Sequence, residues 1–539
     1  MNPAPVSRLV RHLAACLGLC GPVFSATPAP KPDIVIIMAD DMGYSDIGCY
    51  GSEIPTPVLD GLAENGLRFT RFYNTARCCP TRASLLTGLY PHQAGIGLMV
   101  DDSGLPGYRG RLGDHTVTLA EVLRGAGYQT FMTGKWHVTP NPYNEKTKGP
   151  QDRETWPIQR GFDRFYGTLA GGGNYFSPVS LMRDNQPLDP PEKDGSYYFT
   201  DAISDQAASY IREAREGQPL FLYLAYTAPH WPLHAPEEEI AKHLDAYRDG
   251  WDEMRRQRHK RMLDAGILPE GCPLSARGAG IPAWEDAEHK EWEIRRMATH
   301  AAMMAMMDRA IGRVMDSLRE TGRFDNTLVM FLSDNGASRE VIQGKSGRHG
   351  EFPRGGTTPD IMPGPLDTYA SFGPEWANAT NAPFRHYKID TYEGGAGTPL
   401  VVHWPKGIGA RGELRHDPGH VIDLMPTLIE AAGAVYPEKR RDVNVLPPEG
   451  VSLLPAFRGE ALPERALFFE HMGNRGVRLG TWALLARHKK PWSLYDTAVD
   501  RTETHDLASS HPEKVSELES LYRKWAARSN VAPWPLKRR

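Results

Sequence analysis

The chain has 539 residues, well above the ~100–200 residues of one ordinary domain, which predicts one large domain and a smaller one. Hydrophobic residues make up 40% and charged residues 24%, a composition that excludes disordered and fibrous proteins. The 62 Lys and Arg against 66 Asp and Glu give a formal charge of -4. No nucleic-acid partner is therefore expected, and any anion site must be built locally.

The first 26 residues differ from the rest of the chain. Arg8 and Arg11 form a basic segment, the run 13–26 is mostly apolar, and Phe24-Ser25-Ala26 resembles a cleavage site. This is the layout of a secretory signal peptide, so we predict that residues 1–26 are removed and that the protein is exported, to the periplasm or beyond. No other segment approaches the ~20 apolar residues of a membrane span.

Four of the six cysteines lie after the predicted signal peptide: Cys49, Cys78, Cys79 and Cys272. They are too few in so long a chain for a disulfide framework. Cys78 and Cys79 are adjacent within a dense motif, so chemistry explains this pair better than cross-linking.

Short apolar runs rich in β-branched residues predict strands that are buried on both faces of a sheet. In chain order these runs are 33–38, 219–224, 328–332 and 399–403. Helical patterns lie between them, at 117–125 and 298–320, so an α/β sheet between helices is expected. Functional side chains should then lie at the carboxyl ends of the strands.

The charged segment 236–292 predicts a helical insertion, which either frames a substrate cleft or is a solvated surface. Strand-like pieces at 466–469 and 482–486 are followed by a helical pattern at 515–527. We therefore predict a catalytic domain over 27–435 and a small C-terminal domain over 436–539.

Side chains with carboxylate or amide oxygens follow two of the predicted strands. Asp40 and Asp41 end the first strand, and Asp334 and Asn335 follow the run 328–332. Each pair is ambiguous alone, because Asp-Asp more often caps a helix and Asp-Asn-Gly more often forms a turn. Together, three carboxylates and an amide oxygen form a hard oxygen set suited to Ca²⁺ or Mg²⁺.

The stretch 78–88 reads CCPTRASLLTG and carries the strongest chemical signal. It resembles the signature of the sulfatase family: Cys or Ser, any residue, Pro, a small residue, Arg, and a Leu-Thr-Gly ending. In that family a maturation enzyme recognises the motif and oxidises the cysteine to formylglycine. Pro lies at +2 and Arg at +4 only when counting from Cys78, so the resemblance selects Cys78 over Cys79 as the nucleophile.

The resemblance implies covalent catalysis. The hydrate of formylglycine carries two hydroxyls on one carbon, one to attack sulfur and the other to expel sulfate by carbon–oxygen cleavage. A plain serine or cysteine could accept the group but could not release it in this way. The family pattern also implies that Asp40, Asp41, Asp334, Asn335 and the modified Cys78 bind Ca²⁺, or Mg²⁺, which stabilises the nucleophile and polarises the sulfate.

Further cationic residues match family motifs. In the GKWH segment 134–137, the resemblance assigns Lys135 to sulfate and formylglycine oxygens and His137 to the proton of the hydrate. It assigns His230 to the sulfate near the leaving oxygen and Lys388 to the sulfate as a second lysine. Arg82 would be a fixed cation beside formylglycine and the calcium ligands.

Two more histidines, His234 and His471, are candidates for lining the substrate cleft, with structural roles as the open alternative. Asp334 is also the expected nearest carboxylate to the attacking hydroxyl.

The resemblance covers about 33–426 and is closest in look to bacterial arylsulfatases. It implies an alkaline-phosphatase-like large mixed sheet between helices, and a smaller C-terminal domain with an antiparallel sheet and a helix. The implied reaction is hydrolysis of aryl or carbohydrate sulfate monoesters. Two other functions stay open: a phosphate or phosphonate monoester hydrolase on the same fold, and a non-catalytic sulfated-glycan binder.

Overall fold

The computed structural model of the chain describes Met1 and residues 30–140, 153–344, 346–347 and 350–537. Apart from Met1, the predicted signal peptide 1–26 lies outside the described residues. No helix in the described ranges combines the length and apolar character that crossing a membrane requires.

The described strands belong to one large sheet, one four-stranded sheet and three short ladders. In chain order they are β1 (Asp33–Ala39), β2 (Leu67–Tyr73), β3 (Gln129–Lys135), β4 (Arg164–Thr168), β5 (Leu181–Arg183), β6 (Gln186–Pro187), β7 (Leu220–Ala225), β8 (Thr327–Ser333), β9 (Ser346–Gly347), β10 (Gly350–Glu351), β11 (Arg354–Gly355), β12 (Thr368–Tyr369), β13 (Gly397–His403), β14 (Glu413–Arg415), β15 (Gly419–His420), β16 (Lys439–Arg440), β17 (Val443–Asn444), β18 (Leu467–His471), β19 (Asn474–Leu479), β20 (Trp482–Ala486) and β21 (Ser493–Asp496).

The described α-helices flank these sheets. They are α1 (Pro57–Glu64), α2 (Cys78–Thr87), α3 (Pro91–Ala94), α4 (Leu119–Gly125), α5 (Phe199–Arg212), α6 (Glu237–Ala241), α7 (Gly250–Asp264), α8 (Lys290–Glu320), α9 (Gly373–Thr380), α10 (Glu393–Ala396), α11 (Leu424–Ala432), α12 (Leu454–Phe457) and α13 (Pro512–Arg528).

The large sheet is mixed and runs in the order β14-β2-β13-β8-β1-β7-β3-β4-β5-β6, with β15 also paired to β2. Its centre, β8-β1-β7-β3-β4, is parallel, whereas β13 is antiparallel to both of its neighbours. The strands predicted at 33–38, 219–224, 328–332 and 399–403 are confirmed as β1, β7, β8 and β13.

Helices cover both faces of this sheet. Side chains of a strand point alternately to the two faces, and in the buried strands both sets are apolar and pack against helices. Val35 and Ile37 of β1 pack in the cluster that contains α5 and α8. Ile34 and Ile36 pack in the opposite cluster, with α2, α4 and α11. The predicted helices at 117–125 and 298–320 are confirmed as α4 and α8, the latter starting earlier, at Lys290.

The smaller sheet, β18-β19-β20-β21, is antiparallel throughout, and α13 packs on it. The expected strand pair and closing helix are confirmed. The described helices α6 and α7 lie within 236–292, and α7 buries Trp251 and Met262 rather than standing free in solvent. The domain boundaries given above stay a prediction.

The four cysteines after the signal segment are free in the described structure. The described structure thus has no disulfide among Cys49, Cys78, Cys79 and Cys272.

Candidate active site

Four adjacent parallel strands end at the same edge of the large sheet. β8, β1, β7 and β3 lie side by side, with Ala39 paired to Ser333 and Gly134 paired to Ala225. The residues at or just after these ends are Asp40, Asp41, Lys135, His137, His230, Asp334 and Asn335. The sheet therefore brings together residues that lie up to three hundred positions apart, as expected for carboxyl strand ends.

Gly134 allows β3 to approach β7 closely just before Lys135. Its φ is +103°, and a Cβ at this position would lie 1.8 Å from the carbonyl oxygen of Ala225. Only glycine fits such an approach at this φ, so the motif glycine positions the following lysine against the centre of the sheet.

Cys78 is the first residue of α2, whose N-terminal N–H groups carry partial positive charge. Arg82 lies one turn later on the same face and is wholly buried. Its Nε and Nη2 donate to Asp334 Oδ2 at 2.9 and 2.7 Å, and its Nη1 donates to the Lys135 carbonyl at 2.9 Å. Arg82 thus connects the helix to two strand ends.

Two buried carboxylates each contact cations of the predicted set. Lys135 Nζ donates to Asp40 Oδ2. Lys388 Nζ lies 2.8 Å from the Asp41 carboxylate, and His230 Nε2 lies 3.4 Å from Asp41 Oδ2. These five side chains form one cluster with at most a few per cent exposure.

The residues predicted to bind a cation, Asp40, Asp41, Asp334 and Asn335, include buried oxygen atoms without a hydrogen-bond partner in the described structure. Asn335 Nδ2 donates to Asp41 Oδ1 at 2.7 Å, while Asn335 Oδ1 and Asp40 Oδ1 have none. Asp334 Oδ1 accepts only a long bond, 3.4 Å, from the backbone N–H of Asp41. Buried oxygens normally have partners, so these atoms are available to a ligand.

Two carboxylates of the cluster have raised pKa values although cations lie beside them. Burial raises the pKa of Asp40 to about 6, although the positive charges of Lys135 and Arg82 act to lower it. Burial and the neighbouring Asp40 carboxylate raise the pKa of Asp334 to about 8. Carboxylates that hold protons near neutral pH would be charged beside a cation. A hard divalent cation therefore fits this all-oxygen donor set.

Cys78 and Cys79 have different surroundings. Cys78 lines the cavity described below, whereas Cys79 is wholly buried with its Sγ 3.2 Å from His137 Nε2. The Cys79 thiol, Lys135 and His137 lower the pKa of Cys78 well below its ordinary value, although burial opposes them. Burial and the neighbouring Cys78 raise the pKa of Cys79.

Both predicted catalytic histidines are neutral near pH 7. Burial lowers the pKa of His137 to about 3, with Lys135 acting in the same direction. Burial lowers the pKa of His230 to about 4, against the attraction of Asp41. A neutral imidazole can accept a proton, which is the property a general base needs.

The cluster opens into a cavity of about 200 Å³. Its lining residues are Arg77, Cys78, Met99, Val100, His137, Thr139, Leu169, Ala170, Gly171, His230, Trp231, Glu340 and Lys388. The lining combines apolar side chains with a few polar and charged ones, which is typical of a small-molecule site.

Nine of the thirteen lining residues were not predicted from the sequence, and three of these, Arg77, Trp231 and Glu340, contact one another through Glu340. Glu340 Oε2 lies 3.3 Å from Lys388 Nζ and accepts a bond of 3.0 Å from Trp231 Nε1, and Glu340 Oε1 lies 3.6 Å from Arg77. Burial opposes ionisation of Glu340, but Lys388 and Arg77 hold its pKa well below its usual range. Arg77, Trp231 and Glu340 lie close in sequence to Cys78, His230 and Asn335. That nearness was the sequence signal that could have placed them at the site.

Backbone strain is present at the same site. Asp41, His137 and Ile389 have φ of 64°, 56° and 87°, a region that is unfavourable for non-glycine residues and most of all for a β-branched one. Such strain persists where surrounding contacts hold it, and it is frequent in functional sites.

Neither His234 nor His471 lines the cavity. His234 is wholly buried, with Nε2 2.7 Å from the Thr368 carbonyl oxygen. His471 is wholly buried at the end of β18. Of the two alternatives left open for these residues, structural roles fit their positions.

Comparison with known proteins gives the class of the chain. The sulfatase family model matches residues 32–434. An uncharacterized sulfatase of Schizosaccharomyces pombe is 33% identical over 546 residues, covering 94% of this chain and 95% of the relative. An arylsulfatase of Klebsiella aerogenes is 36% identical over 454 residues, covering 79% of this chain and 92% of the relative.

A solved structure agrees with these relatives. The crystal structure of Ps i-CgsB in complex with k-i-k-neocarrahexaose has a TM-score of 0.66 and 26% sequence identity, covering 94% of both chains. The chain belongs to the sulfatase family and has its alkaline-phosphatase-like fold. It is a sulfuric ester hydrolase, which confirms the predicted reaction class.

Proposed function

We propose that this sulfatase cleaves sulfate monoesters with a formylglycine made from Cys78 by a maturation enzyme. The observation that supports this most is the convergence of strand-end carboxylates, two lysines and two neutral histidines around Cys78 at the base of one cavity. When formed, the aldehyde hydrate supplies two hydroxyls on one carbon, so that sulfate can be accepted and then released.

Asp40, Asp41, Asp334 and Asn335 would hold Ca²⁺, or Mg²⁺, together with an oxygen of the modified Cys78. The unpartnered oxygens of Asp40 and Asn335 and the raised pKa values of Asp40 and Asp334 support this assignment. A bound divalent cation supplies Lewis-acid stabilisation of negative charge on the sulfate.

Lys135 and Lys388 bind sulfate oxygens. Both ammonium groups lie beside the carboxylate cluster and are at most 3% exposed, so their charges are little screened by water. Arg82 acts differently, because its guanidinium is occupied by Asp334 and the Lys135 carbonyl. It positions these two residues instead of binding substrate.

His137 accepts the proton of the second hydroxyl at the step that releases sulfate. Its lowered pKa keeps the imidazole free to do so. His230 lies on the Asp41 and Lys388 side of the cluster and binds sulfate near the leaving oxygen. Asp334 is the carboxylate that lies nearest to the attacking hydroxyl.

The substrate class that fits the cavity best is a small aryl sulfate. Met99, Val100, Leu169 and Trp231 form an apolar wall suited to a flat leaving group. A carbohydrate sulfate is the second candidate, since a structural relative was solved in complex with k-i-k-neocarrahexaose.

We also propose that residues 1–26 act as a signal peptide and that the protein is exported.

The test combines mass spectrometry of the peptide 73–82 with turnover of a chromogenic aryl sulfate in calcium. We expect a loss of ~18 Da at Cys78, as for a thiol oxidised to an aldehyde, together with hydrolysis that a chelator abolishes. The matched aryl phosphate and phosphonate esters should turn over far more slowly. Faster phosphate cleavage would overturn the sulfate preference, and binding without turnover by fully modified protein would favour a glycan binder.

A further inference from the structure

A second cavity, of about 490 Å³, is lined in part by residues next in sequence to Glu340 and Lys388. Arg339 and Tyr387, the chain neighbours of those two residues, line it. Arg277, Arg385 and Arg487 line it as well, and we call it the arginine pocket. It shares no lining residue with the catalytic cavity.

Two of the four arginines have no carboxylate partner in the described structure. Arg277 lies 3.4 Å from Asp252, and Arg487 lies 3.0 Å from Asp390. Arg339 contacts the Tyr387 ring, at 5.6 Å from its centroid. The fourth, Arg385, donates to the Glu503 carbonyl oxygen at 2.9 Å. Arg339, which is exposed, and Arg385, which is half-buried, therefore have no ion pair in the described structure.

A buried polar side chain of the same cavity also lacks a partner. Asn378 is 1% exposed, and its Oδ1 accepts a bond from Gly278 N–H, whereas its Nδ2 has no acceptor in the described structure. A buried N–H group without an acceptor costs stability. A solvated arginine patch would not require this donor, but an anionic ligand would use it.

Arginine side chains outnumber carboxylates around the imidazole of His386. Burial lowers the pKa of His386 to about 3, and Arg385, Arg487 and Arg339 act in the same direction. Asp390 is the acidic group that faces this imidazole, at 3.8 Å. An anion would be attracted to this position, and planar guanidinium groups bind oxyanions through paired hydrogen bonds.

We propose that the arginine pocket binds an oxyanion, a sulfate or carboxylate group, between Arg339 and Arg385 with Asn378 as a further donor. The volume exceeds that of one such group, so it admits an anion carried on a larger molecule. The oxyanion comes either from a second anionic group of a multiply sulfated substrate or from free sulfate, the product of the reaction. This site is additional to the proposed active site and does not depend on turnover.

Calorimetric titration of the full protein with sodium sulfate tests the site, with sodium chloride at equal ionic strength as reference. In the double variant Arg339→Gln/Arg385→Gln, we expect one class of sulfate sites to be lost or weakened at least about tenfold, as for loss of charge-assisted bonds. The matched control is Arg256→Gln/Arg523→Gln, which removes the same charge from exposed helix positions. Arg339→Gln alone serves if the double variant does not fold, because it keeps the bond from Arg385 to Glu503.

Kinetics distinguish the two sources. If the oxyanion belongs to the substrate, the double variant raises KM for a multiply sulfated oligosaccharide about tenfold and leaves KM for a chromogenic aryl monosulfate unchanged. If it is free sulfate, both KM values stay unchanged and only the calorimetric site is lost. A sulfate titration and KM values that all match the unaltered protein overturn the proposal.

Discussion

Two adjacent cysteines have unequal access to the cation cluster. Cys78 lines the catalytic cavity, while Cys79 is buried against His137. We expect Cys78→Ala to reduce kcat for an aryl sulfate by at least about 10³-fold, because it removes the nucleophile. Cys79→Ala should keep kcat within about tenfold, since it removes one weak thiol contact with His137 and leaves Cys78 in place.

The comparison of these two variants needs one control. Mass spectrometry of Cys79→Ala should still find the aldehyde at position 78, so that any loss of kcat is not a loss of maturation. An active Cys78→Ala protein would refute the choice of nucleophile.

The buried histidines determine the expected pH dependence. Because His137 and His230 have pKa values lowered to about 3 and about 4, both are neutral through pH 5–8, and the neutral form required for base catalysis is lost only below that range. A bound cation would lower these pKa values further. We expect kcat/KM for an aryl sulfate to show no inflection near pH 6.5. A profile from pH 4.5 to 8.5 checks this, and an inflection near 6.5 that vanishes in His137→Gln would contradict it.

The loop that carries Lys388 is held by the C-terminal sheet. Asn474, the first residue of β19, donates from Nδ2 to the Ile389 carbonyl oxygen at 3.2 Å, and Thr391 Oγ1 donates to the Arg475 carbonyl at 3.1 Å. Ile389 has a φ of 87°. The small sheet therefore maintains an unfavourable backbone conformation next to Lys388, the proposed sulfate-binding lysine.

We expect Asn474→Ala to raise KM for an aryl sulfate about five- to tenfold, because one lost hydrogen bond of about 1 kcal/mol lets the strained Ile389 relax and moves Lys388. Steady-state kinetics measure this, with kcat less affected than KM. Arg475→Ala is the matched control, since it keeps the backbone carbonyl that Thr391 uses. Equal KM values in both variants would show that the sheet does not position the loop.

The whole molecule is joined by a buried ionic network between the large sheet and the C-terminal sheet. Arg478 lies 2.6 Å from Glu503 and 3.1 Å from Glu393, and Arg501 also lies 3.1 Å from Glu393. Tyr73 of β2 donates to Glu393 at 2.7 Å. All of these side chains are at most 3% exposed, so neither part of the chain satisfies its charges alone.

We expect Arg478→Met to lower the free energy of unfolding by about 3–5 kcal/mol, because it leaves Glu393 and Glu503 buried without the cation that lies between them. Urea denaturation followed by circular dichroism measures the loss. The control Arg523→Met removes an exposed ion pair and should cost less than about 1 kcal/mol. Similar losses in the two variants would mean that the network adds nothing.

The amino-acid sequence by itself determined the central strands and the nucleophile motif. Apolar runs such as 328–332 specify a strand locally, because burial on both faces requires a continuous run. The positions of Pro and Arg after Cys78 likewise depend only on chain order. Local patterns therefore sufficed for four strands of the large sheet, β1, β7, β8 and β13, but not for β3, which carries Lys135.

Only the tertiary structure decided which distant residues share a cavity. Glu340 reaches Lys388 and Arg77 because the sheet order places β8 next to β1 and β13. The arginine pocket joins Arg277 to Arg487 across 210 positions of chain. No periodicity encodes such neighbours, since they depend on how helices and sheets pack once each has formed.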